Sequence, residues 1–209
     1  IVLSVTESNL RRSIEENPGA KAVMAINPSY YGVAPDLKRI VETAHASNMP
    51  VLVDEAHGTH MRFHRHFPIS AMAAGADMSA ASLHKTGGSM TQSSALLIWN
   101  SKINPNYVKQ VLNLTYTSSP SYVLLCSLDV ARKQLAVRGA EILDRVLELT
   151  SWAREEINKI SGLFAPDKRY FEKAGHFSFD DTKLLVNVQE LGLTGYEVEE
   201  LLAKEYNIL

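Results

Sequence analysis

The chain has 209 residues, 45% hydrophobic and 21% charged, with a net charge of −2. That is the balance of a soluble globular chain, long enough for one sizeable core or for one large domain and part of a second. It excludes the basic footprint of a nucleic-acid binder and an acidic tail, and no apolar run approaches the roughly 20 residues of a membrane-spanning helix.

A single cysteine, Cys126, excludes an intrachain disulfide framework and fits a reducing, cytoplasmic compartment. Beside Leu124 and Leu125 it is expected as a small buried apolar residue. The opening Ile1-Val2-Leu3-Ser4-Val5 reads as a strand and lacks the length and basic flank of a signal peptide. The close, Tyr206-Asn207-Ile208-Leu209, reads as entry into another strand, so the chain is expected to be an internal piece of a longer protein.

Thr6 or Ser8 caps a helix running to about Glu16, stopped by Asn17-Pro18-Gly19. Ala20 to Ile26 is a short apolar strand, and Pro28 to Gly32 a loop. Asp36 caps a helix with Leu37, Ile40, Val41 and Ala44 at spacings of three and four. Pro50 to Asp54 is a second buried strand ending in an acid. Ser70 to Ala74 makes a short helix, Ala76 to Ser82 a third strand and Ser94 to Trp99 a fourth. Apolar strands without alternation, separated by amphipathic helices, predict an α/β fold: a mostly parallel sheet flanked by helices on both faces. Ligands of such sheets bind beyond the carboxyl ends of the strands, and Asn27, Asp54 and Ser82 to Lys85 all fall there.

From Ser121 to Ile160 the pattern is helical, with a break near Gly139. Pro166 to Asp181 is irregular with a Gly175-His176 turn, Leu184 to Val188 is a strand, and Tyr196 to Tyr206 an amphipathic helix. This predicts a large domain over 1–160 and the beginning of a smaller α+β domain over 161–209.

A carboxylate ending a buried strand, such as Asp54, serves either to cap the next loop or to hold a ligand. Pyridoxal phosphate (PLP) chemistry needs one buried acid to keep the pyridine nitrogen protonated and one lysine to form a Schiff base, from neighbouring strand ends. Asp54 and Lys85 fit that placement. Lysines desolvated beside another cation are the ones that attack aldehydes, and Ser82 and His84 offer donors suited to a phosphate. By default Lys85, beside Gly87-Gly88, is a solvated loop residue.

The actual residues add to the spacing. Val53-Asp54-Glu55-Ala56-His57-Gly58-Thr59-His60, Gly75-Ala76-Asp77, Ser82-Leu83-His84-Lys85-Thr86, Asn27-Pro28-Ser29-Tyr30-Tyr31-Gly32 and Thr117-Ser118-Ser119-Pro120-Ser121-Tyr122 together closely resemble the Orn/Lys/Arg decarboxylase family, in its shorter bacterial form. The resemblance covers most of residues 1–160. It implies an aspartate-aminotransferase-like fold (fold type I) and PLP-dependent decarboxylation of arginine, lysine or ornithine to the amine and CO2. By that resemblance Lys85 forms the internal aldimine, Asp54 holds the pyridine nitrogen, Ser82 and His84 contact the cofactor phosphate, Ala56 packs near the ring and His57 lines the site. Lys85, His84 or His57 would return the proton after CO2 leaves. Thr117 to Tyr122 is placed near a dimer interface, in a homodimer or higher homo-oligomer. The family's upstream phosphate loop and ring-stacking residue have no counterpart in the chain.

Other patterns compete. Asp54-Glu55-Ala56-His57 spells a helicase box, but G-x-x-x-x-G-K-[ST] is absent. Ser82-x-x-Lys85 and Lys85-Thr86-Gly87 mimic β-lactamase motifs but share one lysine where that chemistry uses two. His57, His60, His64 and His66 lack an H-E-x-x-H arrangement, so a polar loop is favoured over zinc and no metal is expected. Arg62 to His66 is expected to be a solvated loop or an oligomer contact. Within the same fold, an aminotransferase, another PLP lyase, or a non-catalytic homologue or inactive fragment remain alternatives.

Overall fold

The structure, a computed structural model, describes residues 4–99, 102–173 and 177–208. Of the strand expected over Ile1 to Val5, only Ser4 and Val5 are described, and neither is in a strand. The Gly175-His176 turn lies outside the described residues. Where entry into a strand was expected at Tyr206 to Leu209, Tyr206 ends a helix and Asn207 is its left-handed cap, Leu209 lying outside the described residues. Helix α1 (Glu7–Glu16) is capped by the Thr6 hydroxyl, which accepts from the Asn9 N–H. Strand β1 (Val23–Ile26) follows, then the short β2 (Val33–Ala34), then α2 (Leu37–Ala46), capped by Asp36 as expected. Strand β3 (Val51–Asp54), helix α3 (Ala71–Ala74), strand β4 (Met78–Ala81), the single-turn helix α4 (Leu83–Thr86) and strand β5 (Ala95–Ile98) complete the first half.

The four strands lie in the order β1-β3-β4-β5, parallel except for the antiparallel edge strand β5. The α/β fold with a mostly parallel sheet is therefore the one expected. Register places Ile26 beside Asp54, and Asp54 beside Ala80, so the polar residues after each strand emerge in a row. Asn27 donates its N–H to the Asp54 carbonyl and Glu55 donates to Ala80, each at 2.9 Å.

One face of the sheet is packed. Ala25, Val51 and Val53 meet Leu37, Ile40, Val41 and Ala44 of α2 and Ala71 and Ala74 of α3. Each large aliphatic side chain buried there contributes roughly 1.5–3 kcal/mol. The other face carries Met24, 74% exposed, Ile26 and Leu96, and among the described residues no helix covers it. Helices on both faces were expected because the strands are apolar throughout; here the apolar residues of the second face line an open hollow.

The second half departs further from expectation. Helix α5 (Pro105–Thr115), capped by Asn104, was not foreseen. Helix α6 (Tyr122–Ile157) runs unbroken through Gly139. That glycine serves close packing rather than a break: a Cβ on it would stand 3.0 Å from Cβ of Phe63. Cys126 is exposed on α6, since its apolar chain neighbours lie on other sides of the helix. Helix α7 (Lys168–Lys173) leads to β6 (Ser178–Phe179), which pairs antiparallel with β2. Leu184 to Val188 forms no strand; it has one bridge, Phe164 to Asn187, and without a partner ladder its alternating apolar residues stay exposed. Helix α8 (Gly195–Tyr206) forms as expected, with a capping box between Thr194 and Glu197. No helix of the described residues is long and apolar enough to cross a membrane.

Candidate active site

At the carboxyl ends of β3 and β4, Asp54, Ala56 and Ser82 border one hollow and Lys85 meets His57, while His84 turns to the Ser93 carbonyl. Asp54 ends β3, and its Oδ1 accepts the Ala56 N–H at 3.0 Å, which folds the following loop back on the strand. Ala56 and His57 are half-buried in that loop. Lys85, on α4, is exposed, with Nζ 3.4 Å from His57 Nε2. Asp54, Ala56 and Ser82 share the wall of a hollow of about 380 Å3 on the bare sheet face, with Met24, Leu52, Met78 and Leu96 as its apolar floor. A larger cavity of about 1180 Å3 lies elsewhere, between α6 and residues 164–173, and contains none of the expected site residues.

Burial first, then the ammonium groups of Lys183 and Lys85, hold His57 below its ordinary value, against the opposing pull of Asp54 and Asp180. The lowered value favours the neutral imidazole of His57, whose Nε2 faces the Lys85 ammonium. His84 is turned differently: its Nδ1 is 3.0 Å from the Ser93 carbonyl, leaving Nε2 as its outward nitrogen. Ser82 precedes α4, and its hydroxyl makes no capping bond.

Glu55, next to Asp54, points the opposite way, into the core. It is 3% exposed, and its Oε1 accepts the Ala71 N–H at 2.7 Å while Ser79 donates to Oε2 at 3.1 Å. Burial pushes the Glu55 carboxyl up to about 7, outweighing those hydrogen bonds and the nearby His60. Asn27 sits beside it, fully buried, its amide donating to the Ile69 carbonyl at 2.9 Å. Asp77 precedes β4 at the other end of the sheet, where its Oδ2 takes His45 Nε2 at 2.7 Å and the Val51 N–H at 2.8 Å, a structural pin.

The histidine-rich loop is tied down by ion pairs, while its Arg62, Arg65 and His66 stay exposed as expected of a solvated loop. Met61–Phe63 form a single 3-10 turn. His60 faces Asp180 at 3.2 Å, both buried; His64 faces Asp144 at 3.0 Å and His66 faces Asp181 at 2.9 Å. Each histidine thus has its own carboxylate, and among the described residues no three His, Cys, Asp or Glu side chains are grouped to hold a metal. These ties, the Tyr30 ring edge-on to His57 at 5.2 Å, and Lys183 were not identified from sequence. Their partners lie far away in the chain, so no local pattern marks them.

The model of the family described as Orn/Lys/Arg decarboxylase, major domain, matches residues 1–185. The chain belongs to the Orn/Lys/Arg decarboxylase family. It is 45% identical over 204 residues to the arginine decarboxylase of Bacillus cereus and 46% identical to that of Bacillus subtilis. Each match covers 98% of this chain but only 44% and 42% of the relative, so the chain spans less than half the length of the curated relatives it matches. Among solved structures it resembles the constitutive lysine decarboxylase of E. coli, with TM-score 0.69 and 18% identity over 87% of this chain and 30% of that one. An alanine–glyoxylate aminotransferase from Nostoc sp. gives TM-score 0.70 and 17% identity over 96% and 54%. At such identities these likenesses establish the fold, the one the resemblance implied.

Proposed function

We propose that the chain supplies much of the PLP site of an enzyme that decarboxylates a basic amino acid, with arginine the first candidate. The observation that carries this reading is the convergence of Asp54, His57 and Lys85 at adjacent strand ends, in a chain 45% identical to proteins named arginine decarboxylase. The residues present fit the cofactor. Asp54 commits one oxygen to the loop and borders the hollow, Ser82 has an uncommitted hydroxyl on the same wall, and Lys85 faces the His57 imidazole.

When bound, PLP supplies the electron sink for the pair released as CO2 leaves. Asp54 would hold the proton on its ring nitrogen, Ala56 would pack near the ring, and Ser82 and His84 would contact its phosphate. Lys85 would carry it covalently. His57, its Nε2 3.4 Å from Lys85 Nζ, would receive a proton from it and return it, a general acid–base role; His84 is the second candidate for that step.

The division near residue 160, with 161–209 opening a smaller domain, is part of the same reading and is supported by the end of α6 at Ile157. So is assembly into a homodimer or larger homo-oligomer of a cytoplasmic enzyme. Tyr107 and Leu114 of α5, with Tyr122, Val130 and Val137 of α6, leave large apolar surface exposed around the Thr117–Tyr122 segment. The test of function is CO2 release by the full-length protein from arginine, lysine and ornithine in turn. The expected result is stoichiometric amine and CO2 from one of them; keto acid without CO2 would replace this reading with transamination.

A further inference from the structure

The backbone around Lys183 is pinned by long-range contacts, although neither the strand-end pattern nor the resemblance singles the residue out. The β2–β6 pairing sets Phe179 opposite Val33, and the Asp180 N–H donates to the Gly32 carbonyl at 2.8 Å. The Lys183 N–H donates to the Asp180 carbonyl at 3.0 Å. From α6 the buried Arg154 donates to the carbonyls of Asp181 at 2.7 Å and Lys183 at 2.9 Å. Gly32 has φ +89°, and a Cβ there would stand 2.8 Å from Cγ of Lys183. The lysine stem therefore fills the space a side chain at position 32 would take, against the 27–32 loop whose Tyr30 ring meets His57.

Its charge reaches the site and goes unanswered. With burial and the Lys85 ammonium, the Lys183 charge helps hold His57 below its ordinary value, and the lysine stem packs on the loop whose Tyr30 ring lies 5.2 Å from the His57 ring. The nearby acids face other groups: Asp180 Oδ1 accepts from Thr182 and its Oδ2 lies 3.2 Å from His60 Nε2, Asp181 faces His66, and Asp54 Oδ1 accepts the Ala56 N–H. Among the described residues Lys183 forms no ion pair. A half-buried cation without a counter-ion is what an incoming oxyanion satisfies, through a charge-assisted hydrogen bond.

We infer that Lys183 binds an oxyanion of the reacting assembly, either the carboxylate of the amino-acid substrate or the phosphate of the cofactor. This rests on the decarboxylase reading above. A charge that meets the carboxylate before it leaves stabilises the ground state, so in the first case its effect falls on KM rather than kcat.

The test compares full-length wild type with Lys183→Met and Lys183→Arg, using three measurements: PLP affinity by absorbance, KM for arginine, and inhibition by the amine arginine leaves, which lacks only the carboxylate. For a carboxylate site, Lys183→Met raises KM about tenfold or more with amine inhibition and PLP affinity unchanged, and arginine at 183 restores most of it. For a phosphate site, PLP affinity falls about tenfold and amino acid and amine weaken together. Wild-type values in all three would overturn the inference. A wild-type protein that binds no PLP would instead sink the decarboxylase reading. The oxyanion claim is then read with inorganic phosphate on the cofactor-free protein: stabilisation of wild type that is absent in Lys183→Met supports it, and equal stabilisation of both overturns it. Lys183→Gln, read in the same way, serves if the methionine variant does not fold.

Discussion

The ends of β3 and β4 and the returning segment 177–183 both contact the loop that carries His57 and His60, yet they are held in different ways. Asp54, Ala56, Ser82 and Lys85 are placed by strand register and by turns a few residues long, and they remain half-exposed or exposed. The returning segment is held by long-range polar contacts: His60 to Asp180, His66 to Asp181, and the buried Arg154 guanidinium on three carbonyls at 2.7–3.0 Å. The groups proposed to do the chemistry are left accessible, while His60, Asp180 and Arg154, which hold the returning segment, are buried. The two regions should therefore fail differently when mutated.

The largest effect is expected at the strand ends. Lys85→Ala should lower turnover on the order of 10³-fold or more, since it removes both the covalent attachment and a proton-transfer group. Its cofactor-free form should melt within about 2 °C of wild type, because the side chain is exposed and surface changes cost little. A large drop in melting temperature would erase the distinction between the regions.

The opposite pattern is expected at Asp180. Burial pushes its carboxyl up, but the bonds and charge of His60 and the bonds from Thr182 outweigh that and hold it below its ordinary value. Its stabilising contribution is therefore present above the ordinary carboxylate range and is lost as pH falls through the lowered value. Asp180→Asn strands His60 in a buried position and should cost about 3 kcal/mol in urea unfolding. An unchanged midpoint would mean the pair holds nothing together.

Glu55 lies between the two regions, and its expected effect shows only in how stability changes with pH. With its carboxyl at about 7 against an ordinary 4.5, the folded protein keeps a proton that the unfolded chain gives up. Stability should fall as pH rises from about 4.5 to about 7 and level off above, by up to about 3 kcal/mol from this group. Glu55→Gln should remove that decline. Wild-type and variant stability curves that run parallel across the window would contradict it.

The same contrast explains what could be read from sequence. Val51 to Asp54 and Met78 to Lys85 carry strand, acid and lysine within a few residues, so periodicity locates the strand ends and the family resemblance supplies the roles. Asp180 has meaning only beside His60, and Lys183 only beside Gly32, contacts no local pattern announces. Gly139 misled for a related reason: glycine in a helical pattern reads as a break unless the Phe63 packing against it is known. The bare sheet face was misjudged because strands apolar on both sides ask for two covers, and among the described residues only one is present.

The central claim is that Lys85 carries the cofactor. The direct measurement is borohydride treatment of the full-length protein with PLP, followed by peptide mapping. The account predicts loss of the visible absorbance and a pyridoxyl mass on the peptide containing Lys85, absent in Lys85→Ala. A label on another lysine, or none at all, would contradict it.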